Sequence, residues 1–253
     1  MSKAHLSLSL ALLFLGAQGS MMQASHPPRP PDDSGDKPAG QAQTQPGHHH
    51  HPSDASDDAT MTHAFDDVDK WVERFDDPAR EEWQKPGLVV RSLLLKPGMN
   101  AADIGAGTGY FNRHLAEAVG PGGKVYAADL EPKMVAYMGE RAKREETPNV
   151  VPLLAAADDP ELPAGAIDMI LIVNTYHHFD DRLAYFGRLK AALKPGGRIA
   201  VIDFLKKELP VGPPLEHKLD RDQVVAEMDA AGYDLIREPE FLPYQYFLIF
   251  QAR

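Results

Sequence analysis

A carboxylate and three glycines mark the part of this sequence best suited to chemistry. In AADIGAGTGYF, Ala101 to Phe111, a short apolar run carrying Asp103 passes into Gly105, Gly107 and Gly109. Glycines at a strand-to-helix turn let a ligand lie against bare backbone. Their spacing narrows the ligand. The dinucleotide fingerprint G-x-G-x-x-G needs a glycine where Tyr110 stands, and no Gly-Lys-Ser or Gly-Lys-Thr follows the turn to make a P-loop. What remains is D-x-G-x-G-x-G, whose carboxylate is awkward for a phosphate and apt for a cation.

S-adenosylmethionine carries an ammonium and a sulfonium and no phosphate, so Asp103 and the glycine backbone suit its amino-acid end. Asp129 closes the next expected strand in VYAADLEPKM, 24 residues after Gly105. An acid there can accept both ribose hydroxyls, and can equally cap the helix expected from Pro132. A third group lies in NTYHHF, with Asn174, Tyr176, His177 and His178 at the end of another apolar run. A histidine at this place could act as a general base near neutral pH; alternatively one of the pair caps the next helix and the other faces solvent. Adjacent residues at a helix start are expected to point apart, which argues against a metal site on the pair.

The elements that must hold these residues alternate. Strands are expected near Met99 to Ile104, in KVYAAD, VVPLL, IDMILIV and RIAVIDF, with helices near Phe111 to Ala118, Pro132 to Arg144 and Arg182 to Leu193. GPGGK and KPGG read as the turns between them. Alternating strand and helix predicts an α/β fold with a parallel sheet wound on both faces. A helix near Arg221 to Ala231 is followed by YDLIREPEFL and YQYFLIFQAR, two strands with no helix between, which predicts a closing hairpin and an antiparallel last strand.

The first sixty residues are of another kind. Residues 1–19 have a basic start at Lys3, an apolar run from about Leu6 to Leu15 and then small residues, the pattern of a cleavable export signal. The run is too short to span a bilayer, and no later segment is apolar enough, so no stable membrane insertion is expected after cleavage. Residues 20–60 are rich in Pro, Ser, Asp and Gln and read as a disordered tether. His48 to His51 within it form a low-complexity tract with nothing rigid to orient the imidazoles. Residues 61–96 read as a helical cap whose His63, Phe65, Trp71, Phe75 and Trp83 either roof an acceptor pocket or simply glue the cap to the core. Residues 97–253 form the main domain.

Of the 253 residues 43% are hydrophobic, enough for a sizeable core, and the net charge is −11 with no basic stripe, which excludes a nucleic-acid partner. There is no cysteine, hence no disulfide, thiolate metal site or cysteine nucleophile.

From about Leu88 onward the chain resembles the class I S-adenosylmethionine-dependent methyltransferases of the single-domain, small-molecule type. The resemblance rests on AADIGAGTGY, VYAADLEPKMV, IDMILIVNTYHHF, LKPGGRIAVIDF and AGYDLI in the family's order. It implies a doubly wound, Rossmann-like seven-stranded sheet in the order 3-2-1-4-5-7-6. It also implies S-adenosylmethionine as cofactor, with Asp103, Gly105, Gly107 and Gly109 at its methionine part and Asp129 at its ribose. The family's adenine-binding acid falls in LLAAADDPELP, where Asp158 is the choice, and Asn174 joins the cofactor set. The lack of cysteine departs from the arsenic methyltransferases of this superfamily, which depend on thiols.

Methyl transfer to a small or lipophilic acceptor, with His177 and His178 as candidate bases, is therefore the expected function. The alternative is an exported, non-catalytic module that binds an adenosyl or other small ligand. Export to the periplasm conflicts with a cofactor made in the cytoplasm; a start at Met61 would instead leave a cytoplasmic product that keeps the whole domain.

Overall fold

The computed structural model describes residues 68–253. The export signal, the tether, the histidine run, His63 and Phe65 lie outside the described residues.

A cap of three short helices comes first: α1 (Val68–Phe75), α2 (Arg80–Gln84) and α3 (Pro86–Ser92). Strands and helices then alternate as β1 (Ala101–Ile104), α4 (Asn112–Val119), β2 (Val125–Asp129), α5 (Pro132–Arg144), β3 (Val150–Leu154), β4 (Ile167–Val173), α6 (Arg182–Leu189) and β5 (Leu193–Phe204). The chain closes with α7 (Arg221–Ala230), β6 (Tyr233–Arg237) and β7 (Gln245–Ala252). The seven strands form one sheet in the order β3-β2-β1-β4-β5-β7-β6, and β7 runs antiparallel to both of its neighbours.

The central strands read as continuous apolar runs because both of their faces are covered. Successive side chains alternate between two cores. Ala101, Met169, Leu171, Ala200 and Phe247 pack on one face with α3 and α4. Ala102, Ile170, Ile172, Val201 and Leu248 pack on the other with α6 and α7. Asp103 shares the face of Ala101 and is 3% exposed, a carboxylate in a strand otherwise made of Ala and Ile.

Two local readings are corrected. KPGG is not a turn before the strand but a bulge inside β5: Ile167 pairs with Leu193 and Met169 with Arg198, so β5 takes up extra residues over that interval. Gly196 has φ +78°, and a Cβ on Gly197 would meet Lys194 O at 2.9 Å. The helix expected to reach Leu193 ends at Leu189 and tightens into a single 3-10 turn, Lys190–Ala192.

Among the described residues no helix is long and apolar enough to cross a membrane.

Candidate cofactor and active site

The loop after β1 turns on its glycines. Gly105, Gly107 and Gly109 have φ of +71°, +56° and +79°. A Cβ on Gly105 would run into the Thr175 side chain, and one on Gly109 would lie 2.5 Å from Asn112 Nδ2. Any other residue would therefore meet both backbone strain and a clash. Gly107 N donates to Asp129 Oδ2 at 2.8 Å, and Glu131 N donates to Asp129 Oδ1 at 3.0 Å. Asp129 thus ties the loop to the start of α5, and each oxygen keeps a lone pair for a further donor. Burial still pushes its carboxyl upward against backbone hydrogen bonds from Glu131, Gly107 and Leu130.

Asp103 lies beneath the same loop. Among the described residues nothing donates a hydrogen bond to it, and burial raises its carboxyl to about 7, the positive charge of Arg80 pulling down and Asp129 pushing up. A buried acceptor left without a donor is costly and calls for a ligand.

The cap closes over the loop. Asp76, just after α1, accepts from Thr108 Oγ1 at 2.8 Å and pairs with Arg141 Nη1 of α5 at 2.6 Å; Arg141 also donates to Thr108 O at 3.1 Å. Phe75 faces Gly107, while Trp83 packs on Phe204 and Tyr244 with ring centroids 5.8 and 6.3 Å away. The aromatic residues of the cap therefore divide between the glycine loop and the carboxyl end of β5. Arg80 of α2 lies with its guanidinium 4.0 Å above the Tyr110 ring. Among the described residues, the buried Arg80 Nε and Tyr110 OH have no hydrogen-bond partner.

At the end of β4, Asn174 adopts φ +55°, and its Oδ1 accepts from Gln245 Nε2 at 2.6 Å. Gln245 Oε1 in turn accepts from Gln84 Nε2 at 2.8 Å, so an amide chain links α2, β7 and β4. His177 stands in the 3-10 turn Tyr176–His178, its Nδ1 2.8 Å from Asp203 Oδ2. The two side chains are 6% and 2% exposed. A carboxylate can only accept, so Nδ1 donates, and in the neutral ring Nε2 carries the lone pair. The His178 ring lies 4.1 Å from that of His177. The expectation that the pair points apart is thus corrected: the two side chains turn toward each other and their rings lie in contact, tilted by 41°.

Asp158 stands apart from this group. It sits on a tight turn after β3 with its side chain 80% exposed, facing Arg188 of α6 at 3.8 Å. Sequence reasoning missed four contributors: Arg80, Tyr110, Asp76 and Asp203. Asp203 was within sight at the end of RIAVIDF, whereas Arg80 was lost among the acids of FDDPAREEW.

The residues fit S-adenosylmethionine: a buried carboxylate with no donor among the described residues for an ammonium, bare glycine backbone, and a second acid for hydroxyls. A family model described as a methyltransferase domain matches residues 101–197. A solved S-adenosylmethionine-dependent methyltransferase from Aquifex aeolicus is 32% identical, with a TM-score of 0.70, over 74% of this chain and 99% of that one. Among curated proteins, a ubiquinone/menaquinone biosynthesis C-methyltransferase from Burkholderia vietnamiensis is 30% identical over 134 residues, 52% of each chain. A nocamycin O-methyltransferase from Saccharothrix syringae is 33% identical over 50% of this chain and 44% of that protein. The chain spans about half the length of the curated relatives it matches. It belongs to the S-adenosylmethionine-dependent methyltransferases, with the sheet order and cofactor expected from the sequence.

Proposed function

We propose that this protein transfers a methyl group from S-adenosylmethionine to a small or lipophilic acceptor. Asp103 carries the reading: it is a carboxylate only 3% exposed, with no hydrogen-bond donor among the described residues, at the glycine loop whose Gly105 and Gly109 leave no room for a Cβ. In this reading Asp103 takes the ammonium, the loop lies along the methionine part, Asp129 accepts the ribose hydroxyls, and Asn174 borders the site from β4. When bound, the cofactor supplies an electrophilic methyl group for in-line displacement. The chain's own task is then to align the acceptor, exclude water and take up a proton. His177 is the group for the last task, because Asp203 holds its Nδ1 and leaves Nε2 as the acceptor; His178 packs against it. Trp83, Phe204 and Tyr244 offer an apolar wall beyond β5. The named relatives methylate carbon in quinone biosynthesis and oxygen in nocamycin, both small-molecule acceptors, which supports that class here.

We further propose that residues 1–19 direct export, supported by Lys3, the Leu6 to Leu15 run and the small residues that follow. Fractionation with mass determination of the mature N-terminus tests this; an uncleaved cytoplasmic chain, or a product starting at Met61, overturns it.

The functional reading is tested by calorimetric titration of the full chain with S-adenosylmethionine and S-adenosylhomocysteine, then by methyl incorporation into phenols and quinols. Micromolar binding is expected. Binding of neither ligand by the folded chain removes the reading and brings forward the non-catalytic module that binds some other small molecule.

A further inference from the structure

Residues from three distant segments pass hydrogen bonds along one line. Arg80 Nη2 donates to Gln84 Oε1 at 3.3 Å, Gln84 Nε2 to Gln245 Oε1 at 2.8 Å, and Gln245 Nε2 to Asn174 Oδ1 at 2.6 Å. Gln84 is fully buried and Gln245 is 4% exposed, so neither amide can turn to water for another partner. An amide can be rotated end for end, and its surroundings decide which end donates. Here the first member decides. A guanidinium only donates, so Gln84 must offer Arg80 its oxygen, and each amide after it must follow in the same sense. Reversing any one of them sets NH2 against NH2, or oxygen against oxygen, inside the core. The line ends at Asn174, whose Oδ1 is taken and whose Nδ2 has no hydrogen-bond partner among the described residues. Unlike the buried Arg80 Nε and Tyr110 OH, that Nδ2 is open to the surface.

We infer that Asn174 Nδ2 is a fixed hydrogen-bond donor to the reacting oxygen of the methyl acceptor, its polarity set from the cap through Gln84 and Gln245. The inference rests on the methyltransferase reading, moves Asn174 from the cofactor to the acceptor, and names the acceptor's reacting group as a hydroxyl, that of a phenol, quinol or enol. The place suits an acceptor. From the end of β4, Asn174 reaches past β5 to the first residue of β7, which pairs with Phe204 at the carboxyl end of β5, where open α/β sheets hold their ligands. The apolar wall of Trp83, Phe204 and Tyr244 stands at the same strand end. His177, three residues on, supplies the acceptor nitrogen that complements this donor. The hydroxyl gives its proton to His177 Nε2 and keeps the electron pair that bonds to the methyl carbon, while the carbon–sulfur pair leaves with sulfur. Until that bond is made, the Asn174 N–H stabilises the negative charge on the oxygen. An amine brings N–H groups of its own to a donor and is disfavoured.

The test is side-chain amide exchange and acceptor preference in the full chain, with S-adenosylhomocysteine affinity as the control. In isotope-labelled wild type the Asn174 NH2 signal, identified by its loss in Asn174→Asp, should exchange with solvent about tenfold or more faster than those of Gln84 and Gln245. Gln84→Glu is the decisive variant, because residue 84 lies two links away from Asn174. The new carboxylate pairs with Arg80 and can only accept, so Gln245 must turn its NH2 toward it and Asn174 must turn its NH2 toward Gln245, leaving Oδ1 at the site. Slow exchange at Asn174 is then expected, with a loss of about tenfold or more in kcat/KM for hydroquinone relative to p-phenylenediamine; Asn174→Asp should move that ratio the same way. Both variants should bind S-adenosylhomocysteine within about threefold of wild type, since the line serves the acceptor. An Asn174 amide as protected as its neighbours in wild type, or unchanged by Gln84→Glu, overturns the inference with or without turnover. So does methyl transfer by wild type to p-phenylenediamine in preference to hydroquinone. A loss of about tenfold or more in S-adenosylhomocysteine affinity in Asn174→Asp returns Asn174 to the cofactor and also overturns it. A folded wild type that binds no S-adenosylhomocysteine removes the methyltransferase reading itself, and the inference with it.

Discussion

His177 Nδ1 lies 2.8 Å from Asp203 Oδ2, a contact between the turn after β4 and the end of β5 that sets which imidazole nitrogen can take a proton. Asp203 is itself held by Phe204 N, which donates to its Oδ1 at 2.8 Å. Asp203→Asn places an amide opposite Nδ1, where its NH2 can donate and favour the tautomer with the proton on Nε2, the wrong one for a base. The expected outcome is a loss of about 100-fold in kcat, within the usual range for general acid–base catalysis, with S-adenosylhomocysteine affinity changed less than threefold. His177→Gln should act alike. Equal loss of binding and turnover in both variants would make the contact structural.

Asp103 makes cofactor binding depend on pH. Its carboxyl sits near 7 in the ligand-free chain, and a bound ammonium favours the ionised form, so binding near neutrality should release a proton. Affinity should rise as pH increases from 6 toward 7.5, and calorimetry in two buffers of different ionisation enthalpy should show the release. Asp103→Asn should weaken binding about 10- to 100-fold and flatten the pH dependence. The sign for stability runs the other way. A folded-state value above the unfolded one means the native chain binds the extra proton, so this group's contribution to stability falls as pH rises between about 4 and 7. Thermal denaturation of wild type and Asp103→Asn across that range checks it.

Gly109→Ala combines φ +79° with a Cβ 2.5 Å from Asn112 Nδ2. A loss of about 1–3 kcal/mol in folding stability is expected from the positive φ and the displaced Asn112, readable as a lower Tm. Gly139→Ala is the control, since nothing lies within 4 Å of a Cβ there and its φ is not positive. That variant should match or slightly exceed wild type, because Ala is the better helix former in α5.

The Asp76–Arg141 pair, at 2.6 Å and with side chains 21% and 15% exposed, latches α1 onto the glycine loop. Removing Asp76 also strands the Thr108 hydroxyl. Asp76→Ala should cost about 1–3 kcal/mol and raise amide exchange in Val68–Phe75 well above that in the sheet. If α1 covers the bound ligand, the off-rate of S-adenosylhomocysteine rises as well, measurable by stopped-flow displacement. Unchanged exchange in α1 would show that the latch does not hold the cap.

Much of this protein was legible in its residues because the signals are local. A strand buried on both faces must be largely apolar, so IDMILIV declared β4 at its true bounds; VVPLL matches β3 as well, although that edge strand is only partly buried. The glycines at 105, 107 and 109 were readable because all three have positive φ, and at 105 and 109 close packing also leaves no room for a Cβ. Alternation of elements, and its failure after α7, set the antiparallel position of β7. Contacts between distant segments were a different matter. The bulge at KPGG arises from how β5 pairs with β4, a register that local turn propensity cannot report. His177 reaches Asp203 across 26 residues of sequence, and Gln84 reaches Gln245 across 161, so neither partner carries a mark of the other. Arg80 sat unseen in an acidic stretch, where charge alone suggests a solvated face; only the folding of α2 onto Tyr110 buries its Nε. Local sterics and periodicity determined the sheet and the glycine loop, while the pairing of buried charges and amides was decided by tertiary packing.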